Sequence, residues 1–389
     1  MNVALARRSE LLDGREPYAE VLLGPNRAAL LRDGFQAYPA MLAAIAAAQH
    51  TICLETYILR DDTTGRRFLD ALAERARAGV EVLLLFDSWG SSVSSDSLAA
   101  LRDAGVKVHA FEPLRFSLGL KRIVAKLLRR NHRKSLVVDG EVGFLGGLNI
   151  SDEYSAVADG GEGWRDTHLR IEGPGALQLE ALFLKTWRKQ KGLAPDEARF
   201  ARPRPAVCAA LTIVGNDFAL DKKAIRKAYV DAISRARQRI FLTHAYFLPP
   251  GKLLKTLHKA VRRGVRVAVI VAASTDVQLV LWGARGLYPK LLKNGVEVYE
   301  WQGRVLHAKT AVIDGTWSTV GSANLDALSL RQNLEVNAVV VDATFGRAME
   351  QLFLEDLAHC QRVTLASVRE YGWFTRLLSW FAFQLRHWL

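Results

Sequence analysis

The stretch His132-Arg133-Lys134-Ser135-Leu136-Val137-Val138-Asp139-Gly140, closed by Gly146-Gly147-Leu148-Asn149, occurs twice. The second half of the chain carries it as His307-Ala308-Lys309-Thr310-Ala311-Val312-Ile313-Asp314-Gly315, closed by Gly321-Ser322-Ala323-Asn324. Both copies fit H-x-K-x4-D-G-x5-G-[GS]-x-N without a gap. A lone H-x-K means little, but so long a spacing kept in two places marks a duplicated unit.

The pattern has a local physical reading. Ser135 to Val138 and Thr310 to Ile313 favour strands, and Asp-Gly followed by another apolar run is a strong hairpin signal. Side chains alternate faces along a strand, so His132 and Lys134 share one face, as do His307 and Lys309. With Asp-Gly as a two-residue loop, register would set Gly147 opposite His132 and Ser322 opposite His307, leaving room above each imidazole. Asn149 and Asn324 would return near the same end. Each hairpin then offers an imidazole, an ammonium and a carboxamide converging on one spot.

That set suits a phosphodiester. Lysine and amide groups can hold the non-bridging oxygens as charge builds. One imidazole can attack phosphorus while the other protonates the leaving alcohol, and the duplication supplies both. Spacing alone does not say which histidine does which. Asp139 and Asp314 belong to the motif and so to the candidate catalytic set, although Asp-Gly at a hairpin tip is also ordinary turn chemistry, which favours a structural role.

The repeat extends beyond the motif. Ala44-Ile45 with Ile52 to Tyr57 matches Ala232-Ile233 with Ile240 to Tyr246. Arg77-Ala78-Gly79-Val80 matches Arg262-Arg263-Gly264-Val265, and Asp103-Ala104-Gly105-Val106 matches Lys293-Asn294-Gly295-Val296. Each is a helical pattern closed by glycine and followed by a β-branched run. Helix alternating with strand predicts an α/β fold of two pseudo-equivalent domains with mostly parallel sheets. The expected domains are 1–195 and 205–370, joined through a proline-rich stretch around Pro195 to Pro205, with 371–389 as a tail. The histidines can cooperate only if the domains face each other across one shared cleft.

The chain has 389 residues, long enough for two cores. Its net charge of +13 points to polyanions, either nucleic acid or an anionic membrane. Cys53, Cys208 and Cys360 form no disulfide framework or zinc pattern and fit a reducing compartment. The N-terminus lacks the apolar core of a signal peptide, and no apolar run reaches the ~18 residues of a spanning helix. No metal or other cofactor is expected: two lysines supply the positive charge and no ligand cluster has metal spacing.

Two segments have membrane-like character. In Leu120 to Arg130, apolar residues at 120, 123, 124, 127 and 128 share one helical face, and Lys121, Arg122, Lys126, Arg129 and Arg130 take the other. This reads as a basic interfacial helix or as a surface helix with its stripe on the core. Trp373 to Leu389 combines tryptophan, phenylalanine, leucine and arginine, as a bilayer contact or as a terminal helix docked on a domain.

The paired motifs resemble the phospholipase D superfamily, and most closely its bacterial cardiolipin synthases of the B type. The blocks Leu54-Glu55-Thr56-Tyr57-Ile58, Phe144-Leu145-Gly146-Gly147-Leu148-Asn149, Trp164-Arg165-Asp166 and Val320-Gly321-Ser322-Ala323-Asn324-Leu325-Asp326 carry that closer likeness, which runs from about residue 17 to about residue 355. The resemblance implies a phosphatidyl transferase that converts two phosphatidylglycerols into cardiolipin and glycerol through a phosphohistidine. It implies His132 as nucleophile, His307 as general acid, and Lys134, Lys309, Asn149 and Asn324 as phosphate holders. Asp166 and Glu335 would be the acids behind the histidines, although their offsets from Asn149 and Asn324 differ (17 against 11). Glu55, Tyr57, His244 and Tyr246 would line the lipid pocket or belong to the core. The implied partner is an anionic, phosphatidylglycerol-containing membrane, at the cytoplasmic side of the bacterial inner membrane and without a spanning anchor. A phospholipase D hydrolase or a nuclease of the superfamily is the alternative. Small nucleases of this kind carry one motif and dimerise, which disfavours nucleic acid here. Oligomeric state is not legible.

Overall fold

A computed structural model describes residues 15–111, 129–190, 194–202, 208–216, 223–275 and 277–384. The first half runs β1 (Ala19–Leu23), β2 (Asn26–Arg32), α1 (Asp33–Ala47), β3 (Thr51–Thr56), α2 (Thr63–Arg77), β4 (Glu81–Asp87), α3 (Ser95–Asp103), β5 (Lys107–Phe111), β6 (Ser135–Val138), β7 (Val142–Gly146), β8 (Thr167–Glu172) and α4 (Pro174–Trp187). The second runs β9 (Leu211–Asn216), α5 (Ala224–Arg235), β10 (Arg239–His244), α6 (Gly251–Arg262), β11 (Arg266–Ala272), α7 (Gln278–Lys293), β12 (Glu297–Trp301), β13 (Lys309–Ile313), β14 (Trp317–Gly321), α8 (Ala327–Arg331), β15 (Glu335–Val341), α9 (Ala343–Leu357), β16 (Cys360–Val363), α10 (Leu365–Arg369) and α11 (Trp373–Gln384).

The strands form two eight-stranded sheets, ordered β1-β2-β8-β7-β6-β3-β4-β5 and β16-β12-β11-β10-β13-β14-β15-β9. The α/β reading holds, but the sheets are mixed rather than mostly parallel. Only β3–β4, β4–β5, β10–β11 and β11–β12 pair in parallel. The glycine-closed helix–strand repeats that predicted parallel pairing cover only those strands. The motif hairpins and the strands beyond them meander, so they pair antiparallel.

Helix boundaries follow local chemistry. Asp62 caps α2 by accepting from the Gly65 N–H at 2.8 Å, and Asp342 caps α9 by accepting from Thr344 and Phe345, each at 2.8 Å. Along α9, Phe345, Met349, Leu352 and Phe353 face inward at helical spacing. Their cluster holds residues of both halves, among them Leu145, Leu169, Leu306, Val320, Leu334 and Val336. The two sheets therefore share one core, and burial of that apolar surface fixes the halves against each other.

The hairpins are one residue longer in the loop than expected. Val138 pairs with Val142 and Ile313 with Trp317, so three residues form each loop. Asp139 and Asp314 adopt left-handed φ values of 53° and 52°, followed by Gly140 and Gly315 at 67° and 63°. The extra residue shifts the register by one, so Gly147 and Ser322 do not lie opposite the histidines as expected.

Leu120 to Leu128 lie outside the described residues. Of the proposed basic face, Arg130 is buried, its guanidinium donating to Asp87 from Nε at 3.0 Å and again from Nη2. Arg130 is thus an anchor rather than a membrane-facing cation, because a buried carboxylate stands next to it. α11 docks on α7 through buried Ser379 and Ala382 and leaves its aromatic side exposed. Among the described residues, no helix is long and apolar enough to cross a membrane.

Candidate active site

His132 and His307 lie just before β6 and β13, where the chain leaves its own sheet and pairs with the other half. Asn131 bridges Leu334, and Leu306 bridges Arg165, both in parallel. The His132 N–H donates to Leu334 O at 3.0 Å, and the His307 N–H donates to Arg165 O at 2.7 Å. The residues next along those partner strands are Glu335 and Asp166. The two halves therefore exchange acids: His132 Nδ1 lies 3.0 Å from Glu335 Oε1, and His307 Nδ1 lies 2.7 Å from Asp166 Oδ2. Each carboxylate is fully buried.

The unequal offsets of the two acids from the asparagines gave no support for this pairing. The reason they converge is that each acid serves the histidine of the other half, so position relative to its own motif carries no constraint. An acid on Nδ1 fixes the ring and leaves the chemistry to Nε2.

The lysines are buried beside the histidines. Lys134 Nζ donates to His132 O at 2.7 Å, and Lys309 Nζ donates to His307 O. Burial pulls the Lys134 ammonium well below its ordinary range, and the Lys309 cation pulls the same way, against Glu335 and Asp166. Two ammonium groups buried near each other disfavour each other, and an anion between them would relieve this. Burial and Lys309 also depress His307 to about 4, against the opposing pull of Asp166. Burial pushes the Glu335 carboxyl up to about 8 despite Lys134 and Ser322, whereas His307, Lys309 and the Thr167 N–H outweigh burial at Asp166 and bring it below the usual range.

The other motif residues sit differently. Asp139 accepts from the N–H groups of Gln49, His50 and Thr51 at 2.7–2.8 Å, and Asp314 accepts from Arg237, Gln238 and Arg239 at 2.8–2.9 Å. Both are at the hairpin tips, some seven residues or roughly 23 Å of extended chain from the histidines. Their place in the motif is structural, as the turn chemistry indicated, and not in the catalytic set.

Asn149 has protein partners at both ends of its amide. Its Oδ1 accepts from the Ile58 N–H at 3.0 Å and its Nδ2 donates to the Tyr154 hydroxyl at 2.6 Å. Tyr154 in turn packs its ring edge-on to His307 with centroids 5.1 Å apart. Asn324 Oδ1 accepts from the Tyr246 N–H at 3.3 Å, which turns its Nδ2 the other way.

Tyr57 packs against His132, centroids 4.9 Å apart, and lies under Lys134 Nζ at 5.1 Å. Glu55 is buried and accepts from Asn131 Nδ2 at 2.7 Å, steadying the residue before His132. His244 is buried and, among the described residues, has no hydrogen-bond partner on either ring nitrogen, so it belongs to the core wall; burial, then Lys309, lowers it to about 3. Tyr246 is half-buried.

Several site residues were not singled out from sequence. Arg133 is buried and donates to Thr186 Oγ1 and Asn216 O, both at 2.8 Å, and to Glu335 O at 3.2 Å. Arg165 donates to Asp356 from Nε and Nη2, at 2.9 and 2.7 Å, and to Asp33 at 3.1 Å. Asp33 also accepts from the Asp166 N–H at 2.8 Å. Both arginines hold the acid-bearing strands in place. Arg133 lies inside the first motif and Arg165 inside the Trp164-Arg165-Asp166 block, but neither position carried a role there. Among the described residues, no group of three or more His, Cys, Asp or Glu is placed to hold a metal ion.

A family model described as "Cardiolipin synthase, PLD-like domain" matches residues 41–187 and 229–357. The chain belongs to this family. It is 36% identical over 374 residues to cardiolipin synthase B of Salmonella typhimurium, covering 93% of this chain and 88% of the relative. It is 35% identical over 379 residues to cardiolipin synthase B of Escherichia coli, with the same coverage. Among solved structures, phosphatidylserine synthase of Haemophilus influenzae matches with a TM-score of 0.72 at 13% identity, covering 99% of this chain and 100% of that one, a likeness of fold.

Proposed function

We propose that this family member is a phosphatidyl transferase of the cardiolipin synthase type, joining two phosphatidylglycerols into cardiolipin with release of glycerol. The observation that carries this reading is the crossed pair of histidine–acid contacts, His132 with Glu335 and His307 with Asp166, set with two buried lysines. Its B-type relatives are cardiolipin synthases over most of their length.

In the proposed reaction, His132 Nε2 attacks phosphorus of the donor lipid. The bond from phosphorus to the glycerol oxygen breaks, and His307 gives that oxygen a proton. Glycerol leaves, and the phosphatidyl group stays on His132. A hydroxyl of a second phosphatidylglycerol then gives its proton to His307 and attacks phosphorus, releasing His132. Lys134 and Lys309 hold the non-bridging oxygens, with a remaining amide N–H of Asn149 and the Asn324 Nδ2 as further donors. The lipid reaches the cleft from a bilayer to which the protein attaches peripherally. Free thiols at Cys53, Cys208 and Cys360 fit the cytoplasmic side.

Burial bears on the acid role of His307. Together with Lys309 it holds that ring low, at about 4, against the protonated form that a general acid needs. An anionic phosphate between the lysines would raise it, as that role requires.

The test is incubation of the purified protein with vesicles containing labelled phosphatidylglycerol. Cardiolipin and free glycerol in equal amounts are expected. Phosphatidic acid as the sole lipid product would make the protein a hydrolase, and nicking of plasmid DNA without lipid turnover would make it a nuclease. Acid-quenched enzyme mapped by peptide should carry the phosphatidyl group on His132; label on His307 reverses the roles.

A further inference from the structure

Five of the twelve exposed large hydrophobic side chains among the described residues lie on one helix. These are Trp373, Phe374, Leu377, Trp380 and Phe381 of α11, between 53% and 77% exposed. Their spacing (i, i+1, i+4, i+7, i+8) puts them on one face. The opposite face is spent on the protein: Ser379 and Ala382 are buried, and the backbone of α11 comes so close at Ser379 that Gly286 of α7 has no room for a Cβ. The helix is thus seated by its small residues and presents its large ones outward.

The place of that seat matters. Arg285, next to Gly286, lies under the Tyr371 ring that precedes α11 and donates to Ala273 O and to Glu300. Ala273 follows β11, and Glu300 is near the end of β12. In parallel strands these are the carboxyl ends, the edge at which ligand sites form, and β12 leads on to His307. The seat of α11 is therefore tied, through Arg285, to the carboxyl end of the second sheet.

We infer that α11 is the segment that docks this protein on an anionic lipid surface, lying in the plane of the interface with Trp373 and Trp380 at headgroup depth. Tryptophan and phenylalanine beside arginine is the composition of an interfacial helix. α11 itself contains Arg376 and no acid. Exposed Arg369, Lys290 and Lys293 on the helices around it outnumber Glu370, and the whole chain carries +13. A second copy of the same face would bring these cations together, whereas an anionic bilayer would neutralise them. The inference rests on the reading above for its lipid substrate.

The test is a triple variant, Trp373→Ser, Trp380→Ser and Phe381→Ser, in the full chain, with Leu22→Ser as a control at a distant exposed position. Co-sedimentation with phosphatidylglycerol–phosphatidylcholine vesicles should fall at least ~10-fold in the triple variant and stay unchanged in the control. Brominated lipids should quench wild-type tryptophan fluorescence and lose most of that effect in the variant. Melting temperature and cleavage of a soluble phosphodiester should match wild type, since neither the core nor the cleft is touched. Vesicle binding equal to wild type overturns the inference. So does wild-type self-association that the triple variant abolishes while vesicle binding stays intact. Wild type that binds vesicles through α11 but forms no cardiolipin overturns the catalytic reading and leaves the docking one standing.

Discussion

The two histidine–acid pairs follow one plan in different surroundings. His132 faces a glutamate, Glu335, that also accepts from Ser322 Oγ. His307 faces an aspartate, Asp166, and the position matching Ser322 is Gly147, where an added Cβ would stand 2.1 Å from Asp166 Oδ1. The shorter acid is packed against bare backbone, and the longer one has a hydroxyl beside it. The strand before Asp166 is pinned by Arg165 to Asp356 and Asp33, while the residue before Glu335 is the apolar Leu334. The two copies thus keep the same histidine and lysine while the groups that support them differ.

The largest expected effect separates the histidines. His132→Ala should abolish turnover and the covalent adduct together. His307→Ala should slow turnover ~10²–10⁴-fold, the span of a general acid. It should recover on a donor with a nitrophenolate leaving group, which departs without a proton. Recovery in His132→Ala and not in His307→Ala would exchange the two roles.

The acids come next. Asp166→Asn should lower kcat by between ~10-fold and ~10⁴-fold, as when a buried acid behind a histidine is removed. Glu335→Gln should cost less near neutral pH, because burial already pushes that carboxyl up to about 8 and keeps much of it protonated. The gap between the two variants should widen as pH falls from 8 to 6. Equal losses at every pH would mean that both acids act as full carboxylates.

Arg165→Leu gives the Asp166 side the apolar neighbour that the Glu335 side has. It also removes the buried cation that Asp356 and Asp33 share, leaving Asp356 paired with Arg32. Breaking a buried pair in this way costs ~3–5 kcal/mol, to be read as a lower denaturation midpoint. A midpoint within error of wild type would show that the pin does not hold the halves together.

The smallest effect concerns a position where the halves differ without touching the reaction, His244 in place of Thr56. A histidine at about 3 when folded and near 6.5 when unfolded is proton-free in the native state. The unfolded chain binds the extra proton between those values, so the stability it allows is full above pH 6.5 and is lost as pH falls toward 3. His244→Phe should remove up to ~1.4 kcal/mol per pH unit of that acid sensitivity. Parallel stability curves for variant and wild type would place the ring in contact with water.

The sequence by itself determined the duplicated unit, the strand-favouring runs, the α/β class and the identity of the histidines and lysines. These are properties of spacing and of local chemistry, which a linear chain displays directly. Asp-Gly at each tip also betrayed the turn role of Asp139 and Asp314, because left-handed backbone needs such residues. Only the tertiary structure decided which acid serves which histidine, since Glu335 and Asp166 reach across from the opposite half. The three-residue loop and its shifted register came from the sheet, as did the antiparallel pairing beyond β3 to β5 and β10 to β12. Asn149 turned to Tyr154, and Arg130 to Asp87, because buried polar groups take the partners that packing brings to them. Contacts of that kind join residues far apart in the chain, and nothing local in the sequence records them.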